Sequence, residues 1–155
     1  MFSDPLVTRY LPRGPYSPEK APDIAARTIA YFIEHWNKHG FGVWAVIDKT
    51  SGLLVGQCGL NLLVEAPEVE VLYLLDRPYW GRGLGTEAAR SAVDVGFDQV
   101  GLDRIVGLTM PANLASQRVL QKAGLHYEKM ARFFGIEVRY FAVNKDHRSG
   151  GEGAR

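Results

Sequence analysis

The sequence predicts an α/β protein of the α+β kind: a mixed, mostly antiparallel central sheet with a parallel β-α-β step inside it and helices on its flanks. Three patterns carry this prediction. Two β-rich runs are joined by a polar, glycine-containing turn; a third strand passes through a glycine turn into an amphipathic helix and on to another strand; two final β-rich runs are broken at one glycine.

Taken in order, an irregular start ends at Ser17-Pro18-Glu19, which offers a cap and a first-turn proline. Ile29, Phe32, Ile33 and Trp36 then recur at helical spacing up to Gly40. Phe41 to Asp48 and Leu53 to Leu63 read as antiparallel neighbours around the hairpin turn Asp48-Lys49-Thr50-Ser51-Gly52. Glu68 to Leu75 is the third strand. It leads through Trp80-Gly81-Arg82-Gly83-Leu84-Gly85-Thr86 into a helix ending near Gln99, with Ala89, Ala92, Val93 and Phe97 inward. Asp103 to Thr109 completes the crossover and makes the third and fourth strands parallel neighbours. A short helix from Asn113 closes at Gly124, and Tyr127 to Phe134 with Glu137 to Val143 form a second hairpin around Gly135.

Composition narrows the function classes. With 155 residues, 46% hydrophobic and 23% charged, the chain reads as one ordinary domain over residues 1–145. From Asn144 it turns polar and glycine-rich, and 146–155 is expected to be a flexible tail. A formal charge of +1 gives no net field to favour nucleic acid or an anionic membrane, so any phosphate binding must be local. No apolar run approaches the roughly 20 residues of a membrane helix, and no signal-peptide pattern opens the chain. The lone Cys58, in the apolar stretch Val55 to Leu60, reads as a core thiol, and a cytoplasmic protein is expected. His35, His39, His126 and His147 lack ligand spacing, so no metal is expected.

The chemistry concentrates in the glycine turn. Glycines at 81, 83 and 85 let the backbone take positive φ and approach a ligand with no Cβ in the way. The turn opens a helix, where unpaired N–H groups and the positive end of the helix dipole attract phosphate, and Arg82 adds a full charge. A Rossmann fingerprint would place Gly or Ala where Thr86 stands, and a P-loop would need a lysine where Gly85-Thr86-Glu87 has none. A nicotinamide-dinucleotide binder is thus the weaker reading, and a P-loop is excluded.

The run Glu70-Val71-Leu72-Tyr73-Leu74-Leu75-Asp76-Arg77-Pro78-Tyr79-Trp80-Gly81-Arg82-Gly83-Leu84-Gly85-Thr86-Glu87-Ala88 resembles the cofactor motif of GNAT acetyltransferases, in particular the RimJ/RimL-like branch. A second stretch, Asn113-Leu114-Ala115-Ser116-Gln117-Arg118-Val119-Leu120-Gln121-Lys122-Ala123-Gly124-Leu125, is similar to that branch's Asn-x-x-Ser helix. The resemblance implies the GNAT fold, acetyl-CoA as donor and direct transfer to an amine. It further implies an opening between the third and fourth strands, with backbone groups of Leu74 and Leu75 on the pantetheine arm and Arg82 to Thr86 on the pyrophosphate. An acyl-CoA-binding module without turnover is the alternative.

Direct transfer needs a neutral amine, a polarised thioester and a proton for the departing thiolate. Glu70, which aligns with a glutamate of that branch, is either the group that draws the amine proton off or an unpaired surface carboxylate. Asn113 and Ser116 stand at the cap and first turn of the short helix, where a helix N-terminus favours developing negative charge; Asn113 alternatively only caps. Many relatives protonate the thiolate with a tyrosine at the position held here by Leu120, so Ser116 is the substitute acid, with Tyr127 behind it. Arg118 and Lys122, one helical turn apart, either reach the adenosine 3′-phosphate or form a solvated face.

Relatives also begin with a strand and a helix ahead of the segment matching Ser3 to Leu11, so that first strand and helix are missing from the expected order. The edge at Phe41 to Asp48 would then carry unpaired backbone groups, which favours a homodimer or a start upstream.

Overall fold

A computed structural model describes residues 1–148. A short helix α1 (Pro5–Thr8) precedes a 3₁₀ turn at Pro18–Lys20 and the long helix α2 (Ala21–His39). Strands β1 (Val43–Ile47), β2 (Leu54–Leu62) and β3 (Val69–Leu75) follow, then helix α3 (Leu84–Val95), which ends in a π turn at Gly96–Val100. Strand β4 (Arg104–Thr109), helix α4 (Leu114–Lys122), strands β5 (His126–Phe133) and β6 (Ile136–Asn144) and the turn of helix α5 (Lys145–Arg148) complete the order.

The strands form one sheet in the order β1-β2-β3-β4-β6-β5, antiparallel except where β3 meets β4. That parallel contact has a single paired position, Glu70 opposite Val106. One face packs against α3 and α4 through Leu60, Val71, Ile105 and Phe141, which meet Ala89, Val93, Phe97 and Leu120 in the main core. Burial of these side chains supplies the bulk of the driving force, about 1.5–3 kcal/mol for each large one. Gly96 belongs to this packing, since a Cβ there would stand 2.6 Å from Cδ1 of Ile105. The opposite face carries Val106, Tyr140 and Ala142, and α2 lies over the β2 end of it.

Three sequence expectations change. Ser17 makes no capping bond, and α2 starts after the 3₁₀ turn, with Pro22 in its first turn where no N–H partner is needed. Its inward face runs through Phe32, His35 and Trp36, whereas Ile29 and Ile33 are exposed, so of the four apolar residues at helical spacing only Phe32 and Trp36 turn inward. Of the tail expected to be flexible over 146–155, residues 146–148 lie in helix α5. Lys145 N–H donates to the Asp103 carbonyl, and Arg148 pairs with Asp94 at 2.6 Å and Asp98 at 3.0 Å. Residues 149–155 lie outside the described residues.

Strand β1 is an edge: among the described residues no strand pairs with its outer side. Because Leu60 N–H bonds the Gly42 carbonyl, alternation turns the backbone groups of Val43 and Ala45 outward. The Val43 carbonyl accepts the Trp36 indole N–H at 2.9 Å, so α2 blunts this edge and leaves Ala45 at the centre of its open part.

Candidate active site

The site is the space between β3 and β4 beyond their one paired position. On β3, Asp76 N–H donates to the Val55 carbonyl of β2, and ladder alternation then directs the backbone groups of Leu74 and Leu72 to β2 as well. Those of Tyr73 and Leu75 face the opening. The Leu75 carbonyl accepts the Trp80 indole N–H at 2.8 Å, leaving the Leu75 N–H and both groups of Tyr73 turned toward the gap. Of the two residues expected to line it with backbone, Leu75 does so and Leu74 does not.

At the end of β3 the chain makes a 3₁₀ turn (Arg77–Tyr79), and Gly81 and Gly83 adopt left-handed φ of 71° and 75°. Gly83 caps α3 with no side chain, so the N–H groups of Leu84, Gly85 and Thr86 open outward from the helix start. A Cβ on Gly81 or Gly83 would meet nothing within 4 Å, so their requirement is conformational; at Gly85 a Cβ would contact Val119 of α4 at 3.6 Å. Arg82 lies over the Tyr79 ring at 5.2 Å and is exposed, as are Arg118 and Lys122 on α4. The free amides at the α3 start, with the Arg82 charge in the same turn, suit a phosphorylated ligand.

Across the gap, Asn113 caps α4, its Oδ1 accepting the Ser116 N–H at 3.2 Å. Ser116 Oγ lies 2.8 Å from the Tyr73 hydroxyl, which also stands 3.0 Å from the Ser116 carbonyl. When the phenol donates to that carbonyl, the serine hydroxyl is free to donate to the phenol oxygen or elsewhere. Burial holds the Tyr73 phenol above its ordinary range, so it stays protonated. Leu120 is fully buried in the core.

Glu70 lies on the other face of β3. Positions 70 and 73 differ by an odd number, so their side chains leave the strand on opposite faces. Its carboxylate is buried, with Oε1 accepting from Asn61 Nδ2 at 3.2 Å. Burial pushes the acid up to about 7, opposed by the Asn61 bond. A carboxyl group that titrates there is a competent base at neutral pH.

A domain profile described as acetyltransferase (GNAT) domain matches residues 1–126. The chain belongs to the GNAT acetyltransferase family. An uncharacterized Bacillus subtilis protein, YkkB, is 38% identical over 134 residues, 85% of this chain and 75% of its own. An N-acetyltransferase of Bacillus licheniformis, p20, also uncharacterized, is 32% identical over 96% of this chain and 86% of its own. The solved ribosomal-protein-S5-alanine acetyltransferase of Vibrio fischeri superposes with a TM-score of 0.68 at 21% identity, covering 94% of this chain and 86% of that one. This GNAT enzyme is an acyl-CoA-dependent acetyltransferase, its donor is acetyl-CoA, and the dinucleotide reading falls away.

The fold brings Tyr73 and Ser116 together beside the gap, with the Leu75 N–H and the glycine turn at the end of β3, whereas Glu70 stands at the paired position on the opposite face of the strand. It does not bring Tyr127, which sits on β5, two strands beyond β4, with the Arg139 guanidinium over its ring at 4.2 Å. The carboxylates of Glu65 and Glu68 are occupied, by the Phe134 N–H at 2.8 Å and the Tyr140 hydroxyl at 2.6 Å. Cys58 is buried, its thiol pushed up to about 12 by that burial, in keeping with a core residue. Among the described residues no group of three or more His, Cys, Asp or Glu could hold a metal, and no helix is long and apolar enough to cross a membrane.

Sequence reasoning missed Tyr73, Asn61 and Tyr31. Asn61 had a usable signal, an amide inside the apolar run Leu60 to Leu63 that a buried strand position must satisfy. On the Glu70 side, the N-terminal segment crosses from Arg77, which pairs with Asp4 at 2.8 Å, to the Ala112 carbonyl, which Tyr10 reaches at 3.4 Å. Beside it Pro12, Arg13, Tyr16, Glu65 and Phe134 enclose a cleft of about 480 Å³.

Proposed function

We propose that the enzyme acetylates a weakly basic primary amine, a peptide α-amine being the best match, by direct attack on acetyl-CoA, with Glu70 as base and Ser116 as acid. The carrying observation is that Glu70 and the Ser116–Tyr73 pair leave β3 on opposite faces beside the one gap in the sheet. The acceptor enters on the Glu70 side, past the N-terminal segment and the cleft at Tyr16 and Phe134, and its proton passes to the free carboxylate oxygen directly or through water.

Acetyl-CoA brings the activated thioester. The residues fit it: the amides of residues 82–86 and the Arg82 charge receive the pyrophosphate, the Leu75 N–H and Tyr73 backbone face the pantetheine arm, and Arg118 and Lys122 meet the 3′-phosphate. Trp80 braces the turn by its bond to Leu75, and Leu84 and Thr86 complete the first helical turn. Ser116, with the Tyr73 hydroxyl behind it, gives its proton to the departing sulfur. Asn113 holds the start of α4 so that its amides face the same charge.

The acceptor class follows from proton affinity. An α-amine titrates near 8, about one unit above Glu70, whereas a lysine amine near 10.4 would cost more than three units, or over about 4 kcal/mol. The likeness in fold to an S5-alanine acetyltransferase agrees with this choice. We place the enzyme in the cytoplasm, where acetyl-CoA is available, and a second copy of the chain at the β1 edge. An acceptor screen at fixed acetyl-CoA decides the class: peptides with a free α-amine should release CoA thiol, and turnover confined to peptides whose only free amine is on lysine would refute the assignment.

A further inference from the structure

The hydrogen bond that Asn61 gives Glu70 is half of a longer chain. Tyr31, on α2, donates its hydroxyl proton to Asn61 Oδ1 at 2.8 Å, and Asn61 Nδ2 donates onward to Glu70 Oε1 at 3.2 Å. The chain joins α2, β2 and β3 and has one direction. We infer that Tyr31 is a positioning residue of this enzyme, which fixes the Asn61 amide so that its NH₂ end faces Glu70 and holds the base in its carboxylate form. This inference rests on the reading of Glu70 as the base.

The argument is one of amide orientation. An Asn side chain presents two donors at one end and an acceptor at the other, and its two ends are nearly the same size. With the NH₂ toward Glu70 it stabilises a carboxylate; turned over, its oxygen would repel a carboxylate and accept from the protonated acid. Asn61 is buried at 8% exposure, so water has little part in the choice. The Tyr31 hydroxyl biases it, because a phenol is a better donor than acceptor; by donating to the amide oxygen it leaves the NH₂ turned to Glu70 Oε1.

Nothing else near Glu70 does this work. Of the groups facing it, Val106 on β4 is apolar, and Glu68 on β3 is held by Tyr140. On α2, His35 is engaged by the Phe41 carbonyl and the Leu62 N–H, and Glu34 adds only negative charge near Tyr31. Among the described residues no other hydrogen bond reaches the carboxylate. Tyr31 itself is 40% exposed on a helix surface, so removing its oxygen leaves the core packing alone.

The test uses Tyr31→Phe, which deletes one oxygen. The Glu70 side-chain carboxyl is followed by carbon-13 resonance in glutamate-labelled protein, assigned by its absence in Glu70→Gln. The wild-type midpoint should lie near about 7, and Tyr31→Phe should raise it by about half a unit or more. Asn61→Leu, which removes the donor itself, should raise it at least as far. The acid limb of kcat/KM should move with the titration while the KM for acetyl-CoA holds within about twofold. An unmoved midpoint in Tyr31→Phe overturns the inference. Wild-type turnover in Glu70→Gln would instead remove Glu70 as base, a separate failure that leaves the titration readable.

Discussion

The Tyr73 hydroxyl lies 2.8 Å from Ser116 Oγ and ties the middle of β3 to the first turn of α4 across the gap. Leu120 of the same helix is buried in the core, so the phenol beside the gap comes from the strand and the hydroxyl at the helix start is a serine.

Ser116→Ala should lower kcat by about 10- to 100-fold and change acetyl-CoA affinity by less than about threefold, because an acid acts on the transition state. Tyr73→Phe should lower kcat less, and the double variant should be no slower than Ser116→Ala by more than about twofold, as expected of groups acting as a unit. Stopped-time assays and equilibrium titration supply both numbers. Full turnover in Ser116→Ala would move the acid to Tyr73 or to solvent.

Gly83 has a φ of 75° and an empty Cβ position, so Gly83→Val strains the cap by roughly 1–2 kcal/mol and places methyl groups over the amides of the α3 start. Acetyl-CoA binding should fall by more than about 100-fold in a folded protein. Gly101→Val is the matched control, since Gly101 has a φ of 80° and equally open space but lies away from the gap. Equal loss in both variants would mean that strain, not ligand contact, is being read.

Glu70 must be ionised to accept a proton, so kcat/KM should rise with pH through about 7 in the wild type. Glu70→Gln should remove that step, leave only the rise due to the amine's own ionisation, and lower the rate at pH 7.5 by about 100-fold. A pH profile of the two proteins with one α-amine peptide is sufficient.

His35 bridges α2 to the sheet, its Nδ1–H donating to the Phe41 carbonyl at 2.9 Å and its Nε2 accepting the Leu62 N–H at 3.0 Å, beyond the reach of β1. Burial lowers its pKa, so the folded state holds the neutral ring. A base with a depressed folded pKa contributes fully above its unfolded value near 6.5, and that contribution is lost as pH falls from there through the lower folded value. Thermal midpoints should therefore decline from pH 7 to 5, and His35→Leu should flatten the decline while costing about 1–3 kcal/mol for the orphaned Leu62 N–H.

The open part of the β1 edge, centred on Ala45, should be covered by a second copy. Native mass measurement should give twice the chain mass, and the Ala45 amide should exchange slowly. A stable monomer with fast exchange there would falsify this arrangement.

The sequence by itself determined the local pieces of this enzyme, because glycine turns, caps and hydrophobic periods are properties of neighbouring residues. Gly81 and Gly83 could be read as positive-φ turn positions, Asn113 as a cap, and Ala89, Ala92, Val93 and Phe97 as one buried stripe, and each is so placed. Only the tertiary structure decided that β6 lies between β4 and β5, which carries Tyr127 away from the gap. It also decided which face of α2 is buried, since Ile29, Phe32, Ile33 and Trp36 all recur at helical spacing and only Phe32 and Trp36 turn inward, beside His35. The hydrogen bonds from Tyr31 to Asn61, 30 residues apart, and from Tyr73 to Ser116, 43 apart, are of the same kind. Side chains meet across a sheet through register and packing, and no local pattern in the chain encodes the distance between them.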